Sequence, residues 1–116
     1  MGSRQESKTD LLRGTLDLLI LRTLELQPLH GIGITDRIRQ ITNGTFHVQA
    51  GSLFPALHRL EREGWVSGKW TTNDAARRIR SYTLTSAGRK QLAVEKRTWT
   101  RVAAAMGQML GTNEIG

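Results

Sequence analysis

The side chains best equipped for chemistry in this sequence are cations. Arg59 and Arg62 lie in 51-GSLFPALHRLEREGW-65, and Lys69, Arg77, Arg78 and Arg80 follow close behind. Residues 59–101 hold eleven Lys and Arg against four Asp and Glu, so one segment carries the whole net charge of +7. Guanidinium groups present forked donors that match phosphate oxygens. A clustered cationic excess of this kind favours a polyanionic partner over a neutral small molecule. The plainer alternative is a solvated basic surface, on which Arg59 and Arg62 would pair with Glu63 or other acids.

Other chemistries find little support. The chain has no cysteine, which removes thiolate metal sites, disulfides and Cys nucleophiles together. His30, His47 and His58 do not share the spacing of metal ligands on one helix. No carboxylate pair or nucleophile–base set stands out. Gly31 and Gly33 lack the strand–turn–helix setting of a dinucleotide fingerprint. The expectation is therefore a protein with no catalytic residue, metal or cofactor.

The elements that must position the cations can be read from periodicity. A chain of 116 residues amounts to one domain with a modest core. Its start is polar and its apolar run 16-LDLLIL-21 is too short to span a bilayer, which points to a cytoplasmic, nucleoid-associated protein. A first helix is expected from a cap at Thr9 or Asp10 to about Leu26, before Pro28, with residues 1–8 and 111–116 as loose ends. Leu11, Leu12, Leu16, Leu18, Leu19 and the apolar residues after them cover more than one stripe. One small domain can hardly wrap such a helix, which implies a partner subunit. A second helix follows from about 30-HGIGI-34 to 43-NG-44, with Ile34, Ile38 and Ile41 facing inward. Phe46 in the connection reads as a core plug.

The third helix is the quoted stretch. Leu53, Leu57 and Leu60 make its inner stripe, with Pro55 taken to lie in the first turn, where amides have no intrahelical partner. Gly64 and Trp65 suit a left-handed stop. Ser52, Pro55, Arg59 and Arg62 lie away from the leucines, with Phe54 and His58 flanking them. Two strands, 65-WVSGKWTT-72 and 78-RIRSYTLT-85, are joined by a turn at 73-NDAAR-77, and Thr85 or Ser86 caps a last helix to about Leu110. The expected class is mainly α with a small β-hairpin: a winged helix-turn-helix over 9–85 followed by a dimerisation helix over 86–110. In that arrangement the third helix enters the major groove of double-stranded DNA. Lys69, Arg77, Arg78 and Arg80 on the hairpin reach phosphates or the minor groove.

The last helix adds a seam for a second copy. Leu92, Trp99 and Met106 recur every seven residues, with Val102 and Met109 three places after the last two. Trp99 packs against the partner, with the small Ala103, Ala104 and Ala105 nearby.

Three segments together, 12-LRGTLDLLILRTLELQPLHGIGI-34, 51-GSLFPALHRLEREGW-65 and 77-RRIRSYTLTSAGRKQL-92, resemble the PadR family of bacterial transcriptional regulators, in its short branch with one C-terminal helix. The resemblance implies a homodimer built through Leu12, Leu16, Leu19, Leu92, Trp99, Val102, Ala103 and Met106. It also implies repression relieved by a small aromatic or hydrophobic effector, stacked on Trp99 in a central cavity beside Ala103, Ala104 and Ala105, and the two-fold symmetry of a dimer predicts a palindromic operator. Phe54 and Ile32 stand where tyrosine is usual in the family, and Ser81 where an aromatic residue usually precedes the one at Tyr82. The competing reading keeps the fold and replaces DNA with an acidic protein partner.

Overall fold

The structure, a computed structural model, describes the backbone of residues 2–112 and the side chains of residues 14–112. Its elements are α1 (Gly2–Leu26), β1 (Leu29–His30), α2 (Gly31–Ile41), α3 (Ala50–Arg62), β2 (Val66–Thr72), β3 (Arg78–Leu84) and α4 (Ser86–Leu110). The architecture is mainly α, with three antiparallel strands in the order β1-β3-β2.

Two boundaries differ from expectation. α1 starts at Gly2, so Thr9 and Asp10 lie within it and not at its start. The residues ahead of them include Arg4, Gln5, Glu6 and Lys8, all good helix formers, and no proline stops them. The side chains of Leu11 and Leu12 fall outside the described residues. At the other end Gly111 closes α4 with φ 71°, and 113–116 lie outside the described residues. The second difference is β1, whose Leu29 and His30 pair with Tyr82 and Ser81 on β3. A two-residue strand between Pro28 and Gly31 is too short to show an alternation.

The core forms where α1, α2 and α3 meet the inner face of the sheet. Ile20, Leu21, Ile34, Leu53, Leu57 and Leu60 are fully buried, joined by Val66, Tyr82 and Leu84 from the strands. Each such Leu or Ile contributes about 1.5–3 kcal/mol by leaving water. Leu92 of α4 also belongs here, at 1% exposure, and so is taken from the partner seam in which the seven-residue spacing placed it. Ile41 and Phe46 correct the sequence reading in the opposite direction. Ile41 ends its stripe 49% exposed and Phe46 is 38% exposed, because α2 runs out past the edge of the core.

The stop after α3 takes the expected form. Trp65 N–H donates to the Leu60 carbonyl and Gly64 N–H to the Glu61 carbonyl, each at 3.0 Å, with Gly64 at φ 79°. This reciprocal pair closes the helix and turns the chain into β2. Pro55 needs a different account from the one its sequence position suggested. Helix α3 begins at Ala50, so Pro55 is its sixth residue and lies beyond the first turn. The Gly51 carbonyl, four residues earlier, receives no amide from it.

The entry to α4 is equally specific. Thr85 Oγ1 accepts from Gly88 N–H at 2.9 Å and donates to the Gly64 carbonyl at 2.7 Å, which ties the start of α4 to the end of α3. A Cβ at Gly88 would lie 2.1 Å from the Trp65 carbonyl oxygen and 2.7 Å from Leu84 Cδ1. Gly88→Ala should therefore destabilise the fold although alanine is the better helix former, by about 2 kcal/mol as for other overpacked sites. Thermal denaturation followed by circular dichroism checks this. An unchanged Tm would mean that α4 tilts freely away from the α3 stop.

Candidate nucleic-acid interface

Helix α3 and the hairpin face each other across an open groove of about 610 Å³. From α3 come Phe54, His58, Glu61 and Arg62; from the hairpin come Trp70, Arg80 and Tyr82. An adjoining recess of about 360 Å³ shares Phe54 and Trp70 and reaches His30, Ile32 and Arg78. Strand register builds the hairpin wall. The turn is closed by Asn73, whose Oδ1 accepts from the amides of Ala75 and Arg77, while its N–H donates to the Arg77 carbonyl. With Thr72 opposite Arg78, Trp70 falls opposite Arg80 and Gly68 opposite Tyr82. Residues paired across a sheet share a face, so all of these stand on the side toward α3.

Trp70 is the wall's most prominent group, 57% exposed, with the guanidinium carbons of Arg78 and Arg80 4.9 and 5.5 Å from its ring centroid. Those distances are in the range of cation–π attraction. Sequence reasoning placed neither Trp70 nor Tyr82 at the interface. The signal was present in the turn, since its closure at 73–77 fixes the register that sets Trp70 against Arg80.

The ten residues expected to meet DNA do not behave alike. Ser52, Phe54, Pro55, His58 and Arg62 are exposed on α3, and Lys69, Arg77 and Arg78 are exposed on the hairpin. Lys69 stands opposite Ser81 and alternates onto the sheet face away from α3, so it cannot act with Arg78 on one surface. Among the described residues no acid lies in ion-pair range of Arg62, Lys69, Arg77 or Arg78.

Arg59 and Arg80 are held inside the chain instead. Arg59 turns toward α1 and forms a two-pronged pair with Asp17, Nη1 to Oδ2 at 2.8 Å and Nη2 to Oδ1 at 2.7 Å. Asp17 is only 8% exposed. The hydrogen bonds to Asp17 outweigh partial burial and raise the Arg59 pKa, so the guanidinium stays charged. Removing Arg59 alone would leave a buried carboxylate unpaired, at a cost of about 3 kcal/mol. The sequence reading had weighed pairing with Glu63; the partner lies 42 residues away on α1.

Arg80 donates from Nη2 to Glu61 Oε2 at 2.5 Å, which joins the hairpin to α3. It reaches Glu61 by lying across Gly68, where a Cβ would come within 2.6 Å of Arg80 Nε. That hydrogen bond raises the Arg80 pKa, and burial raises that of Tyr82 beside it.

The residues expected at the dimer seam also divide. Leu16 and Leu19 are partly buried against the chain's own core, as Leu92 is fully, and the Leu12 side chain is outside the described residues. Trp99, Val102, Ala103 and Met106 remain exposed, and Met109 and Leu110 continue the run at 82% and 72% exposure. A slot of about 160 Å³ lies beside Trp99, walled by Gly14, Leu18, Glu95 and Val102.

Among the described residues no cluster of three His, Cys, Asp or Glu is placed to hold a metal ion. None of the described helices is long and apolar enough to cross a membrane. Residues 20–94 match the model of the transcriptional regulator PadR-like family. A transcriptional regulator of Mycobacterium tuberculosis is 33% identical over 92 residues, covering 78% of this chain and 81% of that protein. A PadR family transcription regulator from Clostridium difficile superposes with a TM-score of 0.71 at 26% identity, over 82% of this chain and 97% of the other. A second, from Eggerthella lenta, has the same TM-score at 25% identity over 97% and 96%. The match covers both walls of the groove and the core beneath them, and this chain belongs to the PadR-like family of transcriptional regulators, DNA-binding proteins rather than enzymes.

Proposed function

We infer that this protein is a homodimeric repressor that reads a palindromic operator with α3 and grips its backbone with the hairpin. The observation carrying this reading is the groove itself, with Arg62 on one wall and Arg78 on the other, both open to solvent and out of reach of any described acid. A helix in the major groove and a hairpin over the adjacent strand would trap one sugar–phosphate chain between them. Ser52, Pro55 and His58 then face base edges, while Arg62, Arg77 and Arg78 neutralise phosphates. Binding strength comes chiefly from released counterions and selectivity from α3.

Dimerisation supplies the second reading helix. A bare apolar run from Trp99 to Leu110 is poorly tolerated in water, and a second copy related by a two-fold axis covers it with its own. The two α3 helices then address half-sites one DNA turn apart, about 34–36 Å. The slot beside Trp99 is a place where a flat effector would stack and change the spacing of the subunits.

Three outcomes are expected. Arg77→Ala with Arg78→Ala weakens binding on every sequence and flattens the dependence of log K on log salt by about 0.9 for each phosphate no longer neutralised. A gel-shift salt series checks this, and an unchanged slope removes the hairpin from the mechanism. Arg59→Ala and Ser52→Ala separate structure from readout. The first lowers Tm and weakens all DNA alike, whereas the second leaves Tm in place and erodes preference for the operator; equal losses on random DNA for Ser52→Ala would contradict base reading. Met106→Glu places a charge in the seam and yields monomers by sedimentation with DNA affinity sharply reduced. A dimer that survives it would move the interface off α4.

A further inference from the structure

Three large apolar side chains stand in the open beside the cations of the groove, and charge does not account for them. Ile32 of α2 is 64% exposed, Phe54 of α3 45% and Trp70 of β2 57%. All three line the recess of about 360 Å³ that continues the groove toward His30. Their placing is specific. The Phe54 ring lies across Gly31, where a Cβ would come 2.6 Å from Phe54 Cζ and 2.7 Å from Cε1. Trp70 is set by its register opposite Arg80. An apolar surface gathered from three elements and left in water marks a contact for a partner.

The neighbours decide which partner. Arg62 and Arg78 border this surface, both exposed and out of ion-pair range of any described acid. A surface that alternates cation, ring and cation fits a chain that alternates anion and hydrocarbon. A nucleic-acid strand is such a chain, with phosphates separated by the C–H faces of its sugars. Arg78 Cζ lies 4.9 Å from the Trp70 ring centroid, and successive nucleotides advance about 3.4 Å along a strand. A phosphate held by Arg78 therefore sets an adjoining sugar against the indole. We propose that Trp70, continued by Phe54 and Ile32, is a platform for the deoxyribose faces of the strand gripped in the groove, and that it makes binding selective for DNA over RNA strands.

This rests on the DNA-binding reading above and adds a selection that the cations cannot make, since phosphates are alike in both polymers. The difference lies at one atom. Carbon 2′ of deoxyribose bears only hydrogen, and it gives up water to an indole face at no cost in hydrogen bonds. Ribose carries a hydroxyl at that place. Pressed against this platform the hydroxyl would lose its water and meet no acceptor, because the indole N–H only donates and Phe54 and Ile32 have no polar side-chain atom. The 2′-hydroxyl is the group by which proteins tell the two polymers apart.

The test uses the full chain with a mixed-sequence DNA duplex and a DNA·RNA hybrid of the same sequence, titrated by gel-shift over a salt series. The unaltered protein should prefer the DNA duplex. Trp70→Ala should weaken that duplex about tenfold, as expected when ~60 Å² of indole surface no longer leaves water. It should also leave the slope of log K against log salt unchanged and lose most of the preference over the hybrid. Trp70→Phe keeps a ring and should retain most of both. A hairpin merely loosened by the substitution would weaken the two duplexes by the same factor, and the A-like shape of the hybrid would be rejected with or without the indole. Acrylamide quenching gives a second readout that does not depend on Trp70→Ala folding. The DNA duplex should shield one of the three tryptophans, and Trp70→Phe should remove the shielded component. The proposal fails if Trp70→Ala keeps the original ratio, if the hybrid binds the unaltered protein as well as DNA does, if the salt slope falls, or if the shielding survives Trp70→Phe. Binding of neither duplex would overturn the repressor reading as well; DNA binding with an unaltered ratio overturns the platform alone.

Discussion

The pair between Asp17 and Arg59 governs how the reading surface is aimed. Helix α3 presents its outer residues to a partner, and that presentation is useful only if the helix has a fixed roll and pitch. Leucines on its inner stripe set the depth of packing but allow rotation, because apolar contact has little directional preference. Two parallel hydrogen bonds between a guanidinium and a carboxylate permit one geometry. Because Asp17 lies on α1, the same bonds join the reading helix to an element running beside α4 and the seam. On the proposed reading, the ion pair is a joint between the face offered to DNA and the face offered to a second copy. A buried pair of this kind adds little net stability over an apolar replacement. Orientation is the better reason for its presence.

A second joint holds the hairpin. Glu61 on α3 and Arg80 on β3 fix the width of the groove from above, and Gly68 provides the space through which Arg80 reaches across. Trp70 stiffens the same wall by lying under two guanidinium groups. The cations of the segment therefore fall into two populations. Arg59 and Arg80 are neutralised within the chain and define shape. Arg62, Arg77 and Arg78 meet no acid among the described residues and carry the field that draws in a polyanion.

Much of this was legible in the sequence. Elements whose signals are local, such as the α3 stop at Gly64 and Trp65, the Thr85 cap and the 73–77 turn, stand where residue types required them. Pairings between distant residues were not legible, for a physical reason. Asp17 and Arg59 are 42 residues apart, and nothing in either neighbourhood favours that partner over the nearer Glu63. The mistaken role of Leu92 has a related cause. A heptad spacing marks a face of a helix and does not say whether the chain's own core or another chain covers it. Exposure divides the helix, with the boundary between Leu92 at 1% and Trp99 at 41%.

That boundary explains why α4 is long. A helix of 25 residues spans about 37 Å at 1.5 Å per residue, and past its first turns the large apolar side chains Trp99, Met106, Met109 and Leu110 stand exposed. Alone in water the remainder would be marginal, because helix propensity contributes little without a packed face. In the proposed dimer a second copy would supply that face and hold Trp99 and the slot beside it in place. Anything that shifts the first turns of α4 against α1 would swing the far end through a larger arc. Glu25 and Lys96 join α1 to α4 ahead of that exposed stretch, and in the proposed dimer a displacement there would alter the distance between the two α3 helices.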